Sequence, residues 1–425
     1  PSYQRTSEQS DQARERVHEL LQQPLTVDRA VEIALLNNRT LQARYADLGI
    51  AESDLVRAGR LANPSFSFGR LAGNGVVEYE RAVIFDVLGL FTLPVARQVE
   101  QQRFELAQLQ AVEDTLATAT AARMAFFDAV AARQLQDYYG QVTDASEASH
   151  ELAKRMADAG NFSKLTQMRE QSFYADTRLQ AARAAHRATA AREQLVRVLG
   201  LSGTQTRFTL PERLPNLPAQ LPPVEEAEQR AMTQRLDVLQ AKRQADATAR
   251  ALGLSKVTRF INVLHAGYRN KTETDAKRSN GYEIELQLPL FDFGSTRVAR
   301  AEAIYQQALN QAAATAVNAQ SEVREAEAAR RTAYELARHY LDEVVPLRQK
   351  ISEENLLRYN GMLLSVFDLL ADAREQVAGV SASVEALRDF WIADSQLHMA
   401  LTGRTPGALP SLAPTRAGSA APAGH

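Results

Sequence analysis

A chain that repeats its own pattern over half its length is confined to folds built from two like units, and this sequence does so. The stretch from Val27 to Leu35, followed by Leu41-Gln42-Ala43-Arg44, returns as Val224 to Met232, followed by Leu239-Gln240-Ala241-Lys242. From 27 to 224 the offset is 197, and from 41 to 239 it is 198, so one residue is gained in between. Gly89-Leu90-Phe91 answers Pro289-Leu290-Phe291 at an offset of 200, and Gly160 answers Gly361 at 201. Ordered matches with a slow drift imply two copies of one structural unit.

At 425 residues the chain is larger than one core usually supports, yet no flexible Pro/Gly-rich linker divides it, so the halves are expected to form one interleaved body. The net charge of −2 disfavours a partner held through many phosphates, and no nucleic acid is expected. The absence of cysteine removes disulfides, thiolate metal sites and a cysteine nucleophile together. No run of about eighteen apolar residues exists to make a transmembrane helix. Pro1-Ser2-Tyr3-Gln4-Arg5 opens a polar segment rather than a signal peptide, as expected of a mature form.

Along the chain, residues 1–23 read as an extended polar lead. Thr26 is a fair N-cap for a helix running to about Arg60, which Asn63-Pro64 breaks. Ser65-Phe66-Ser67-Phe68 begins strict alternation, Gly73-Asn74-Gly75 turns, and Glu80 to Leu90 reads as a second strand, giving a hairpin over about 64–90. Pro94 closes it. From Val95 to Asp158 there is no proline and one glycine, Gly140, which predicts a helix of roughly 96 Å at 1.5 Å per residue. Gly160-Asn161-Phe162-Ser163 stops and restarts the helix, which runs to Leu199-Gly200.

The first repeat therefore covers 24–200, and a Pro-rich connection follows over 201–222. The second repeat, 223–403, carries a hairpin at about 258–293, and then a long helix that Pro346 should kink. From Pro94 to Gly160 is 66 residues and from Gly294 to Gly361 is 67, so the long helices match in length. The Gly/Ala/Pro/Ser-rich tail, 404–425, is expected to be disordered. Strands of about ten residues can cross a bilayer tilted, but four of them cannot close a barrel without edges, so several chains must contribute. Alanine on the long helices (Ala121, Ala122, Ala125, Ala129) permits close packing, and glutamine (Gln98, Gln101, Gln102) suits a wetted wall.

The sequence resembles the outer-membrane factor family typified by TolC. The likeness is carried by Pro24-Leu25-Thr26-Val27 with Asn37-Asn38, by Ala62-Asn63-Pro64, and by Leu288-Pro289-Leu290-Phe291-Asp292-Phe293-Gly294. Arg358-Tyr359-Asn360-Gly361, followed by Val366 to Ala373, completes it over residues 24–403. The resemblance implies a mainly α fold with a small membrane β part. Three chains would form a twelve-stranded barrel in the outer membrane, continued by a twelve-helix tunnel in the periplasm. It implies a homotrimer working with a periplasmic adaptor protein and an inner-membrane pump, as a passive export duct and not an enzyme, with no cofactor.

Leu35-Leu36-Asn37-Asn38-Arg39 and the segment 359–370 are most similar to the branch that accompanies heavy-metal or copper pumps, whose cargo is metal ions or small toxic compounds. Members of that branch are often acylated on a first cysteine, and this sequence contains none. A type I protein-secretion duct of the same fold is an alternative. A periplasmic coiled-coil adaptor is another, although it would be expected to have a single hairpin and a lipoyl-like β domain.

No catalytic constellation is visible. The seven histidines are scattered, with no pair at helical metal-site spacing, and no metal site is expected. Gly69, Gly73 and Gly75 lack the strand-to-helix context of a phosphate loop. Asp368 and Asp372 lie four apart, seven and eleven residues past Gly361, where the first repeat has the neutral Gln167 and Gln171. Like charges at that spacing weaken an isolated helix by about 0.2–0.5 kcal/mol. Threefold symmetry would make each a ring of carboxylates that constricts a pore and favours cations, while a solvated helix face is the plain alternative. Arg358, Tyr359 and Arg155 flank the turns at Gly160 and Gly361 and are candidates to bond across them. By resemblance these turns form the tip that meets the adaptor. Phe66, Phe68, Phe85 and Val263 are expected to face membrane lipid.

Overall fold

The computed structural model describes residues 3–73, 76–160, 162–222, 226–257, 263–274, 278–286, 293–361, 363 and 366–404; the side chains at 254, 366–368 and 370 also lie outside the description. The expected tail therefore falls almost wholly outside it, as do 258–262 and 287–292 of the second hairpin region. The chain divides into two units. One comprises residues 1–42, 114–235 and 319–425, and the other 43–113 and 236–318.

The second unit holds a four-stranded antiparallel sheet in the order β1 (Ser65–Gly73), β2 (Val76–Asp86), β3 (Leu264–Glu273), β4 (Ser279–Leu286). Each repeat supplies one hairpin, and β2 joins β3 across the repeats, with Val83 opposite Tyr268 and Glu80 opposite Lys271. Among the described residues β1 and β4 have no further strand beside them, so each leaves a row of backbone groups without a ladder partner there. The strand expected over Glu80–Leu90 ends at Asp86, because the Asp86 carboxylate accepts the Gly89 N–H at 2.9 Å and caps a helix that starts at Val87. Pro94, expected to end the strand, lies inside that helix.

The helices of the first repeat are α1 (Ser7–Leu21), α2 (Val27–Asn37), α3 (Arg39–Ala58), α4 (Val87–Asp158) and α5 (Lys164–Leu199). Those of the second are α6 (Ala227–Gln234), α7 (Leu236–Val257), α8 (Ser295–His339), α9 (Val345–Asn360) and α10 (Val366–Thr402). α4 has 72 residues, about 108 Å at the usual rise. α5 and α10, with 36 and 37 residues, close their repeats. The polar lead is helical rather than extended. Thr6 and Gln9 form a reciprocal capping box, and Val17 and Leu20 are buried in the core.

The helix expected over 26–60 is broken in the same way in both repeats. Asn38 (φ −68°, ψ 112°) and Arg235 (φ −62°, ψ 129°) are extended, and they stand 197 residues apart, the offset of the sequence match. Each break reaches the C-terminal end of the helix that closes its own repeat, where carbonyls have no helical partner. Asn38 Nδ2 donates to the Val198 carbonyl at 2.8 Å, and Asn37 Nδ2 to the Gly200 carbonyl at 2.6 Å. In the second repeat Arg235, fully buried, donates to the Ala400 carbonyl at 3.1 Å and to Glu322 at 2.8 Å. Gly200 is left-handed (φ +69°), and a Cβ there would stand 2.6 Å from the Asn37 carbonyl, so both backbone and space require glycine.

The first unit's main core gathers Val17, Leu25, Ile33, Phe126, Phe127, Val130, Leu195 and Leu199 with Phe208 and Leu210 of the connection. Proline brings carbonyls without N–H groups, so the connection needs side-chain donors. Arg133 bonds the Leu210 carbonyl at 2.8 Å and Arg192 the Phe208 carbonyl at 2.7 Å. The Trp391 indole bonds Pro215 and the Tyr334 hydroxyl bonds Pro218, each at 3.1 Å.

Between α8 and α9 lies a π-helical segment, Tyr340–Val344, with Val345 between it and Pro346. A π turn is what a helix makes when one extra residue enters it. The second repeat has one more residue between its matched landmarks than the first, and the segment lies within that interval.

Candidate functional site

The sheet is two-faced, as the period of two in its strands dictates. In register, Phe66, Val83, Tyr268 and Tyr282 form one row across all four strands, and Phe85, Ala266 and Ile284 the next. Most of the large side chains on this face are exposed, Phe66 by 67%, Phe68 by 57%, Phe85 by 53% and Tyr282 by 87%, while Val83 and Ala266 are half-buried. An exposed apolar surface of this extent on one sheet face calls for an apolar surrounding. Val263 lies just before β3 and is half-buried, and alternation places it with His265 rather than with Leu264 and Phe66.

The opposite face is charged. Arg269 bonds Glu283 at 2.6 Å and lies 3.9 Å from Glu80, Lys271 meets Glu78 at 2.5 Å, and His265 meets Glu285 at 3.1 Å. Asp86 and Glu273 share that face by register, so carboxylates outnumber cations on it. One face thus suits lipid and the other water.

The two helix turns sit at the far ends of α4 and α9. Gly160 is left-handed (φ +77°), and Ser163 caps α5 through the Thr166 N–H at 3.2 Å. Gly361 has φ −81° and is not left-handed, so the two turns differ in backbone. Arg155 pairs with Glu151 at 3.1 Å and Arg358 with Glu354 at 3.0 Å, each four residues back on its own helix. Among the described residues no side-chain bond crosses either turn from Arg155, Arg358 or Tyr359, and all three are exposed; the Arg358 backbone carbonyl accepts the Leu363 N–H across the second turn at 2.9 Å.

Asp372 is buried, 8% exposed, and its Oδ2 has no hydrogen-bond partner. The Asp368 side chain lies outside the description, while Gln167 is half-buried and Gln171 exposed. Near this end Arg374 of α10 lies over the Phe173 ring of α5 at 4.4 Å, and Arg348 of α9 pairs with Glu375. An open groove of about 1090 Å³ lies between α4, α5, α9 and α10, lined in part by Arg133, Asp137, Tyr138, Glu212 and Gln349. Burial, then neighbouring Tyr139, pushes the Tyr138 hydroxyl up to about 12.

Sequence reading missed the clamps at Asn38 and Arg235. The signal was present as the match in offset, with a charged residue in a helical seam. Among the described residues no group of three or more histidine or acidic side chains could hold a metal ion, and no helix is long and apolar enough to cross a membrane.

This fold is shared with solved outer-membrane channels. The chain superposes on CusC with a TM-score of 0.73 at 17% identity, covering 89% of this chain and 92% of that one. It is similar to a membrane protein from Pseudomonas aeruginosa (TM-score 0.76, 20% identity, 88% and 93% covered). It is also similar to the CmeC outer-membrane channel of Campylobacter jejuni (TM-score 0.76, 14% identity, 88% and 85% covered). No family model and no curated protein sequence matches the chain.

Proposed function

We propose that this protein is a member of the outer-membrane factor family, the trimeric outer-membrane duct of a tripartite efflux pump. Three sheets would close a twelve-stranded barrel, edge β4 of one protomer pairing with edge β1 of the next, and the long helices of three chains would form a twelve-helix periplasmic tunnel. The observation that carries this reading is the four-stranded sheet with an exposed apolar face, a charged face and two unpaired edges. Edges of this kind are stable in a membrane only when a neighbouring strand satisfies them. The protein is a conduit without catalysis. The turns at Gly160 and Gly361 would meet a periplasmic adaptor, and the adaptor an inner-membrane pump.

Cargo of metal ions or small toxic compounds is the finer part of the reading. It rests on the segments 35–39 and 359–370. Asp368 and Asp372 are the proposed carboxylates of the tip aperture, with Asp372 covered by its own chain in the form described here.

Mass measurement in mild detergent, followed by planar-bilayer conductance, tests the duct. A trimer that inserts and conducts is expected, and a stable monomer with a closed sheet would overturn it. Replacing Asp368 and Asp372 by Asn should lower cation preference without dissolving the trimer; unchanged selectivity assigns both to a solvated outer face.

A further inference from the structure

Among the described strand residues the apolar face of the sheet carries no carboxylate, since Glu78, Glu80, Asp86, Glu273, Glu283 and Glu285 all lie on the other side. Its charged groups are Arg70 and Arg81. Arg81 stands opposite Phe68, and Arg70 is opposite Tyr79, two residues along β2 from Arg81. The two guanidinium groups are therefore diagonal neighbours on adjacent strands, within mutual reach of long side chains. Neither has an ion-pair partner among the described residues, and both are exposed.

Arg81 is nevertheless held in place. One of its donors reaches Asn270 Oδ1 at 3.3 Å, its guanidinium lies 6.0 Å from the Phe68 ring, and the buried Asn270 is fixed by donating to Asn280 Oδ1 at 2.6 Å. Its remaining N–H groups have no acceptor among the described residues.

Two unneutralised cations side by side repel each other, and on a surface that offers neutral amides and hydroxyls but no carboxylate they need an anion. The row beneath them is Phe66, Val83, Tyr268 and Tyr282, and the rows further from the hairpin turns are aliphatic and aromatic. An occupant must therefore present phosphate or another compact anion above hydrocarbon. Guanidinium forks match phosphate oxygens in geometry as well as charge.

We propose that Arg70 and Arg81, with Asn270 as the prop, form a site for the phosphate of a phosphorylated glycolipid of the outer leaflet, its acyl chains lying along the aromatic rows. The choice of leaflet rests on the reading above: the site is at the hairpin-turn end of the sheet, opposite the end where the chain passes into the helices, and that end would face the exterior.

The test uses the full chain, purified in mild detergent and exposed in turn to lipid A, to dephosphorylated lipid A and to phosphatidylglycerol, with bound lipid counted by native mass spectrometry. The native chain should retain lipid A at least tenfold better than either comparison lipid. The double variant Arg70→Gln, Arg81→Gln should lose that preference, and Arg70→Lys, Arg81→Lys should keep most of it. Trimer mass and bilayer conductance of each variant are recorded alongside. If the trimers insert and conduct but lipid A and its dephosphorylated form bind equally, or phosphatidylglycerol binds as well as lipid A, the glycolipid site is overturned and the duct stands. Failure of the native chain to insert or conduct overturns both.

Discussion

At the residue scale the two repeats meet one requirement with different chemistry. Both must satisfy carbonyls at the C-terminus of a closing helix, and the first repeat uses the neutral amides of Asn37 and Asn38 where the second uses a buried guanidinium. A charge removed from water must be well paired, and Arg235 is, through Glu322 and two carbonyls. Arg235→Met should destabilise the fold by about 2–3 kcal/mol, since it leaves Glu322 and the Ala400 carbonyl without their donor; denaturant unfolding measures it.

Tyr138 supplies a pH signature. Its ordinary value is 10.0, and burial raises it to about 12, so the folded state holds the proton more tightly than the unfolded one. Its contribution to stability is complete below pH 10 and lost as the pH rises towards 12. Alkaline unfolding of Tyr138→Phe should therefore begin at higher pH than that of the native chain. Individual side chains were the least legible scale in the sequence. Asp372 stands out in the sequence as a charge that the first repeat lacks, but its burial depends on which helices pack over it, and spacing on one helix carries no such information.

At the scale of elements the sequence was informative wherever one period ran uninterrupted. The long helices, both turns and both hairpins were legible in it. Boundaries failed where a polar residue served the element after it rather than the one before. The alternating run was carried past Asp86 to Leu90, although the Asp86 carboxylate caps α4 and the strand ends there. Thr6 and Gln9 lay in a polar lead whose capping box went unread. The π segment was legible as arithmetic, in the single residue gained between landmarks, but its place within the helix was not. Deleting Asp342 should convert Tyr340–Val344 to uninterrupted α-helix. Hydrogen exchange on that segment checks this, and a surviving π turn would mean that Pro346 rather than the extra residue causes it.

At the scale of the whole molecule, the duplication made two like halves plain, but it could not reveal that β2 pairs with β3 across the repeats. That pairing joins residues about 190 positions apart, as the Arg81 to Asn270 bond does, and local pattern is silent about partners at such a distance. The excess of carboxylates on the charged face leads to an expectation for transport. If this face lines water in the assembled duct, Glu273→Gln with Glu285→Gln should reduce the cation-to-anion permeability ratio in planar bilayers and leave trimer mass unchanged.

The bare margins of β1 and β4 carry a consequence for how such a protein is made. A newly folded chain would display two adhesive borders and a greasy face before any sister copy is at hand, and edge-to-edge capture by strangers is the standing hazard of such surfaces. Safe passage then demands either that the hairpins stay unformed until three copies meet or that an escort shields them on the way. Biogenesis, more than the finished architecture, would then decide how many copies a cell can keep.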